Sequence, residues 1–139
     1  MIEFQIRTDG ERLYSITNLV ESKLLSEWEK MESPSGIATL FCPHTSCALT
    51  LNESCDPSAK EDLESFLKHL APRNLGFITH TLEGEDDCPA HMKTLLLQSS
   101  ISFIVENKKL VLGRWQGIYL AEFRDLSQSR TLYLQCIAK

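Results

Sequence analysis

The sequence predicts an α+β fold in a single domain over residues 1–139, and three observations predict it. The last third of the chain holds four alternating, strand-like segments whose connections are too short for crossover helices, so the sheet should be largely antiparallel. Two earlier segments carry the apolar stripes of helices that need a sheet to pack on. A length of 139 residues with 42% hydrophobic content suits one core of ordinary size.

The first quarter of the chain is typical of a strand, a turn and a helix. "IEFQI" alternates between apolar and polar residues, and "TDGE" is a glycine turn that predicts entry into a hairpin. From Asn18 the apolar residues recur at three- and four-residue steps until "SPSG", which predicts an amphipathic helix. Its expected stripe consists of Val20, Leu24, Trp28 and Met31.

A pair of strands and a second helix are predicted next. "GIATLFC" and "CALTLNE" have the composition of strands, and the turn "PHTS" separates them. Asp56 is expected to cap the following helix, with Pro57 at its first position. The buried face of that helix is predicted to be Leu63, Phe66, Leu67 and Leu70.

The remainder of the chain begins with a long irregular stretch, "APRNLGFITHTLEGEDDCPA". A loop of this length in a small domain is usually functional or mobile. "HMKTLLLQ" predicts a short helix, and the four strands after it are "SISFIVE", "KLVLG", "GIYLAEFR" and "RTLYLQCIA".

Composition excludes several classes of function. A net charge of −5 and a pI near 5.3 argue against nucleic-acid binding, which needs clustered Lys and Arg. No segment is apolar enough to predict a membrane span, and the N-terminal residues lack the pattern of a secretion signal, so a cytoplasmic location is expected. The five cysteines form no CxxC pair, which favours reduced thiols, mostly as small buried residues.

Three of the four histidines occupy turns or a helix start, and they are the candidate metal ligands: His44, His80 and His91. Three protein ligands with an open position form the arrangement of catalytic zinc sites. Asp87, from the acidic cluster between the last two histidines, can complete the shell or hold a ring N–H. The spacing alone also fits surface histidines and a solvated acidic loop. A mixed thiolate and imidazole site is a further alternative, since Cys88 and Cys42 lie close in sequence to histidines.

The segment "GRWQGIYLAEFRD" contains the second candidate site. Trp115 and Gln116 lie between glycines in an expected tight turn, where they can stack on and hydrogen-bond a flat heterocycle. A Trp that enters a strand is also often part of the core. Beyond it, Glu122 and Arg124 share one strand face, where they can pair with each other or hold an anionic ligand.

Three blocks of sequence together resemble the YjbQ family, the secondary thiamine-phosphate synthase family: "HTS.ALTLNE..DP", "H..EG..D...H.K" and "WQGIYL.E". They follow the order found in the family and extend over nearly the whole chain. The resemblance implies antiparallel sheets packed face to face with flanking helices, a homotrimer, and a polar pocket that sometimes holds a metal. Thr81 and Arg114 depart from the residues common in the family at those positions.

The resemblance also implies roles for individual residues. His44, His80 and His91 match the family's histidine positions and would bind a divalent metal, with zinc as the first choice. Candidate catalytic residues are Asp87, Glu53 and Lys93, and candidate ligand-binding residues are Asn52, Trp115, Gln116, Glu122 and Arg124. Because a strand of this length spans roughly 25 Å, His44 and Glu53 of one chain are expected to lie too far apart for one small site, which favours a site between subunits.

Three functions follow as hypotheses. The resemblance implies a transferase that joins a pyrimidine pyrophosphate to a thiazole phosphate and releases pyrophosphate, so a phosphorylated small molecule is the expected ligand. A metal-dependent hydrolase needs no pyrophosphate site and is the alternative enzyme. The third hypothesis is a trimeric protein that binds a metal or a metabolite without catalysis.

Overall fold

The computed structural model describes all residues from Met1 to Lys139 as three helices and eight strands. The helices are α1 (Thr17–Trp28), α2 (Pro57–Leu70) and α3 (Asp87–Thr94). The strands are β1 (Ile2–Thr8), β2 (Arg12–Ser15), β3 (Gly36–Phe41), β4 (Cys47–Glu53), β5 (Ser100–Glu106), β6 (Lys109–Leu110), β7 (Gln116–Glu122) and β8 (Gln128–Ala138). No helix is both long enough and apolar enough to cross a membrane.

The strands form two sheets, and every pairing within them is antiparallel. The larger sheet has the order β1-β8-β3-β5-β6, and the smaller has the order β2-β7-β4. In the smaller sheet, Cys47 lies opposite Glu122 at one end and Glu53 lies opposite Gln116 at the other. The α+β class with antiparallel sheets is therefore confirmed.

Two apolar clusters divide the molecule into layers. The main core lies between the larger sheet on one side and α1 with the smaller sheet on the other, and Val20, Leu24 and Trp28 of α1 are fully buried in it. The second cluster joins the opposite face of the smaller sheet to α2 and α3, through Leu67 and Ala90. Strand β7 is consequently buried on both faces from Gly117 to Glu122, and only its first residue, Gln116, is exposed.

The predicted hairpin after β1 is wrong, because β1 and β2 belong to different sheets. β1 pairs with β8, and β2 pairs with β7. The turn between them is closed by the Tyr14 hydroxyl, which accepts from the Asp9 amide at 2.6 Å and donates to the Gly10 carbonyl at 3.0 Å. Gly10 has a φ of 87°, a conformation that glycine adopts without strain.

Helix α2 begins as predicted, but its apolar face is narrower than expected. Asp56 caps it by accepting from the Ser58 amide at 2.9 Å, and Pro57 is its first residue. Only Leu67 is buried, whereas Phe66 and Leu70 are 55% and 44% exposed. A helix that touches a sheet along one line buries residues four apart and leaves their neighbours at the side, so the prediction was too broad.

The third helix and the sixth strand also differ from the predicted bounds, and β6 covers only Lys109–Leu110 of the predicted "KLVLG". α3 starts at Asp87, four residues before the predicted start, with Pro89 in its first turn, where the missing N–H does no harm. It ends at Thr94, so the leucines after it lie outside the helix. The early start places Asp87 and His91 one turn apart on one helix face.

Candidate functional site

Three predicted residues converge at the start of α3. His80 comes from the irregular stretch before the helix, and Asp87 and His91 come from the helix itself. His80 Nε2 lies 2.8 Å and His91 Nε2 lies 3.2 Å from Asp87 Oδ2. One ligand atom from each residue lies within 4.8 Å of the others, and the two imidazole centroids are 5.4 Å apart.

The hydrogen bond at Nδ1 of the His91 ring determines whether its other nitrogen, Nε2, carries a proton or a lone pair. His91 Nδ1 lies 2.7 Å from the carbonyl oxygen of Thr45, which can only accept, so Nδ1 carries the proton. In a neutral ring, Nε2 then presents its lone pair toward the Asp87 carboxylate. Two electron-pair donors face each other at 3.2 Å, an arrangement that a shared cation stabilises.

Asp87 is held in position by an arginine at the end of β7. Its side chain is 2% exposed, and Arg124 Nη1 donates to Oδ1, which leaves Oδ2 for the two histidines. Arg124 Nε also donates to Asp86 at 2.9 Å. Burial acts to raise the pKa of Asp86, but the Asp125 amide and Arg124 outweigh it and lower this pKa below the usual value. Arg124 is thus occupied by carboxylates.

His44 does not join this group. Its Nε2 lies 3.0 Å from the amide nitrogen and 3.1 Å from the carbonyl oxygen of Thr131 on β8. Burial, together with the positive charge of Arg130, lowers its pKa below 6.5. The chain brings together two of the three histidines predicted as metal ligands, and the third donor is the carboxylate of Asp87.

Lys93, two residues after His91 on α3, lines a neighbouring cleft of about 390 Å³. Its side chain is buried and its ammonium is paired with Glu11, and it also lies 5.4 Å above the Phe123 ring. Arg73 lines the same cleft and forms two hydrogen bonds with Asp125, at 2.6 and 2.7 Å. Lys93 and Arg73 are therefore each paired with a carboxylate, whereas Lys68, which also lines the cleft, forms no ion pair.

The other predicted ligand-binding residues lie at the opposite end of β4 and β7. The Asn52 side chain accepts from the Glu53 amide at 2.8 Å, and the Glu53 carboxylate accepts from the amides of the turn before α2. Gln116 Oε1 accepts from the Gly113 amide at 2.8 Å. Trp115 is 55% exposed, with the Arg114 guanidinium 4.9 Å from its ring. These polar groups hold turns, and the indole is more than half exposed, with the Arg114 guanidinium over its ring.

One hypothesis paired Glu122 with the Arg124 side chain, and the structure does not show that pair. Glu122 does not face a pocket either. It is fully buried, and its carboxylate accepts two hydrogen bonds from Arg130, at 2.6 and 2.7 Å. Thr8 and two backbone amides complete its shell. Burial acts to raise the pKa of Glu122, but these donors outweigh it and lower the pKa. Arg130 was missed by the sequence analysis, because nothing in its local sequence distinguishes it from a surface arginine on a strand.

The donor set fits a divalent cation. Imidazole nitrogen and carboxylate oxygen are normal ligands of zinc, and ligand distances near 2.1 Å imply donors about 3.4 Å apart in a tetrahedron. The separations of 2.8 and 3.2 Å from Asp87 Oδ2 are somewhat shorter than that value, and all three donor atoms lie within 4.8 Å of one another. His80 is half exposed, so the group opens on one side. No cysteine sulfur belongs to the group, and the chain does not assemble the mixed thiolate site.

Comparisons with known proteins match the sequence of this chain to one family. The family model "UPF0047 protein YjbQ-like" matches residues 2–139. UPF0047 protein MJ1081 of Methanocaldococcus jannaschii is 41% identical over 138 residues, which covers 99% of this chain and 94% of that protein. UPF0047 protein YugU of Bacillus subtilis is 36% identical over 128 residues, covering 92% and 91% of the two chains.

Solved structures show the same fold. A crystal structure of an uncharacterised conserved protein of the YjbQ/UPF0047 family from Clostridium acetobutylicum superposes with a TM-score of 0.85 at 36% identity, covering 99% of this chain and all of the other. The conserved hypothetical protein TT1486 from Thermus thermophilus gives a TM-score of 0.85 at 34% identity, with the same coverage.

Proposed function

The chain belongs to the UPF0047 (YjbQ-like) family, and from that premise and the site geometry we propose that it binds a divalent metal through His80, Asp87 and His91. The observation that carries this proposal is the meeting of three electron-pair donors around Asp87 Oδ2, with the Nδ1 proton of His91 directed away to Thr45. Zinc is the preferred ion, because it accepts nitrogen and oxygen ligands in a tetrahedral site with one position open.

The proposed ligand is a phosphorylated small molecule. It would enter from the open side of His80, where a pocket of about 280 Å³ is lined by His80, Arg73 and Thr81. Bound there, the ion would polarise a phosphoryl oxygen. Arg124 orients Asp87, and the Thr45 carbonyl fixes the proton on His91 Nδ1. Both contacts orient the donor atoms of Asp87 and His91 toward the same position.

Within this site we propose thiamine-phosphate synthase-type transfer as the activity, with hydrolysis of a phosphorylated substrate as the second candidate. Hydrolysis is kept as a candidate because the cations near the site are already paired with carboxylates. Releasing pyrophosphate requires neutralisation of its negative charge, and the nearby cations Lys93 and Arg124 are already paired with carboxylates. Hydrolysis of a monophosphate requires less neutralisation of negative charge. Parallel assays of both reactions, with His91→Ala as the blank, would distinguish the two.

The metal proposal is tested by elemental analysis of purified protein after dialysis against zinc and removal of free ion. We expect about one ion per chain, lost in His80→Ala and His91→Ala. His69→Ala, on the exposed side of α2, is the matched control and should retain the ion. His44→Ala should retain it too, since the His44 ring lies against Thr131. An ion lost equally in the His44 and His91 variants would contradict the proposed ligand set.

We also propose that the chain works as a homotrimer with sites between subunits, because the signature residues lie at two ends of one strand pair. Mixing inactive Trp115→Ala and His91→Ala chains, by refolding them together, tests it. If each site takes its two halves from two chains independently, about a quarter of the sites regain both intact halves. Activity that stays at the level of the separate variants, with trimers formed, would place the whole site in one chain.

A further inference from the structure

Two cysteine sulfurs meet beneath the loop that joins the two sheets. Cys42 follows β3 of the larger sheet, and Cys47 begins β4 of the smaller one. Their Sγ atoms are 3.5 Å apart, and both residues are 1% exposed. The sulfurs of Cys55, Cys88 and Cys136 have no such sulfur partner, although all five thiols are free.

We propose that Cys42 and Cys47 form a reversible disulfide under peroxide, and that this modification repositions the four-residue loop 43–46. A disulfide has an S–S distance of about 2.05 Å, so the sulfurs must approach by roughly 1.5 Å from their contact at 3.5 Å. Cys42 directly follows a strand of the larger sheet and Cys47 lies in the smaller sheet, so the bond would tie the two sheets together at this loop.

The loop between the cysteines holds several parts of the molecule at once. The Thr45 carbonyl accepts from His91 Nδ1 at 2.7 Å, and the Ser46 hydroxyl accepts from Arg130 at 3.0 Å. A hydrogen bond tolerates only a few tenths of an ångström before it weakens. A contraction of the loop therefore acts on both contacts, including the one that fixes the proton of His91.

The chemistry needs only a peroxide as oxidant. The sulfur of one cysteine attacks a peroxide oxygen, the O–O bond breaks, and one water leaves with the thiol proton, giving a sulfenic acid. The second sulfur attacks the first, the S–O bond breaks, and a second water leaves. Two thiols lose two electrons and two protons, the peroxide is reduced to water, and a small dithiol reverses the bond by exchange.

Access to the buried sulfurs requires the loop alone to open. Pro43 and Thr45 are exposed and lie between the two cysteines, whereas the strands on either side are paired along their lengths. Local opening of such a loop takes less free energy than unfolding of the sheets. A small peroxide is therefore expected to react with this pair in the folded protein.

The bond can be detected in a single peptide. Trypsin cuts after Lys30 and Lys60, and the intervening peptide, 31–60, contains Cys42, Cys47 and Cys55. In a Cys55→Ser variant only the proposed pair remains in it. After treatment of the folded protein with hydrogen peroxide, and blocking of free thiols in denaturant, we expect this peptide to be about 2 Da lighter and unblocked, and dithiothreitol to restore two blocked thiols. A fully blocked peptide, or one oxidised to sulfinic acid, would overturn the proposal.

The effect on the loop is read from the ¹⁵N chemical shifts of the His91 ring. Disulfide formation should shift the Nδ1 resonance, and dithiothreitol should return it. Cys42→Ala and Cys47→Ala are matched controls, in each of which peroxide should leave the resonance unmoved. A disulfide that forms while His91 stays unchanged would overturn the repositioning, and a shift that persists in both controls would assign the effect to other oxidation.

Discussion

Replacement of Glu122 by Gln should destabilise the protein more than any other single change of a charged residue to its amide. The side chain keeps its shape but loses its charge, and Arg130 is left 6% exposed without a counter-ion. The Gln amide group would also direct N–H bonds at some of the five donors that the carboxylate now satisfies. Breaking a buried pair by removing one partner costs about 3–5 kcal/mol.

The assay is urea unfolding at one protein concentration, followed by the fluorescence of the buried Trp28. Glu106→Gln, at an exposed strand position, is the matched control and should change the unfolding free energy by no more than about 0.5 kcal/mol. An Arg130→Met change should lose a similar amount to Glu122→Gln, and the double variant should lose less than the sum of the two. A loss below about 1 kcal/mol in Glu122→Gln would refute the reasoning that an uncompensated charge remains buried.

The same residue predicts how stability depends on pH. The folded-state pKa of Glu122 is lower than the usual 4.5, so its contribution is fully present above the unfolded value. The contribution is lost as the pH falls through 4.5 toward the lower folded value, because the unfolded chain then binds the proton more readily. Acid titrations of stability should therefore be steeper in this range for the parent than for Glu122→Gln. Parallel curves would show that this carboxylate is not the group responsible.

Three further predictions follow from local packing and charge. Gly117→Ala should lower stability by about 1–3 kcal/mol, because its Cβ would meet a neighbouring serine side chain at 2.5 Å, whereas Gly76→Ala meets nothing within 4 Å and should be near neutral in the same urea assay. Leu24→Ala should cost about 2–5 kcal/mol by leaving a cavity, and Leu25→Ala, at 45% exposure, about 0.5 kcal/mol or less. The imidazole of His44 should titrate below pH 6.5 by NMR, so stability falls as the pH drops below that value; a pKa above 6.5 would contradict its burial beside a positive charge.

The parts of the fold that depend on residues close together in the sequence could be predicted from the sequence. Strands β3 and β4 and the Asp56 cap of α2 appear where the pattern predicted them, because alternation, turn residues and a capping side chain act within a few positions. The grouping of His80, Asp87 and His91 was part of a predicted set that also included His44, and it rested on the family resemblance and on the place of Asp87 a few residues before His91.

The parts that depend on which strands become neighbours could not be predicted in this way. The partner of Glu122 is Arg130, and strand alternation alone suggested Arg124. The two arginines differ only in the fold: β8 lies in the other sheet and reaches across the core, while the chain after β7 turns toward α3. His44 was separated from the other histidines for the same reason, since its ring meets the backbone of β8.

The length of the β4–β7 strand pair determines which candidate site residues of one chain can contact the same ligand. Six residue steps separate the Cys47–Glu122 pair from the Glu53–Gln116 pair, which at about 3.4 Å a step is about 20 Å. A small phosphorylated molecule cannot touch both ends in one chain. At the far end the polar groups of Gln116 and Glu53 are used by the turn, and the exposed indole of Trp115 is the group that remains available. Gln116→Ala should therefore weaken the turn, and Trp115→Ala should weaken the proposed site between two chains while leaving the stability of the turn unchanged.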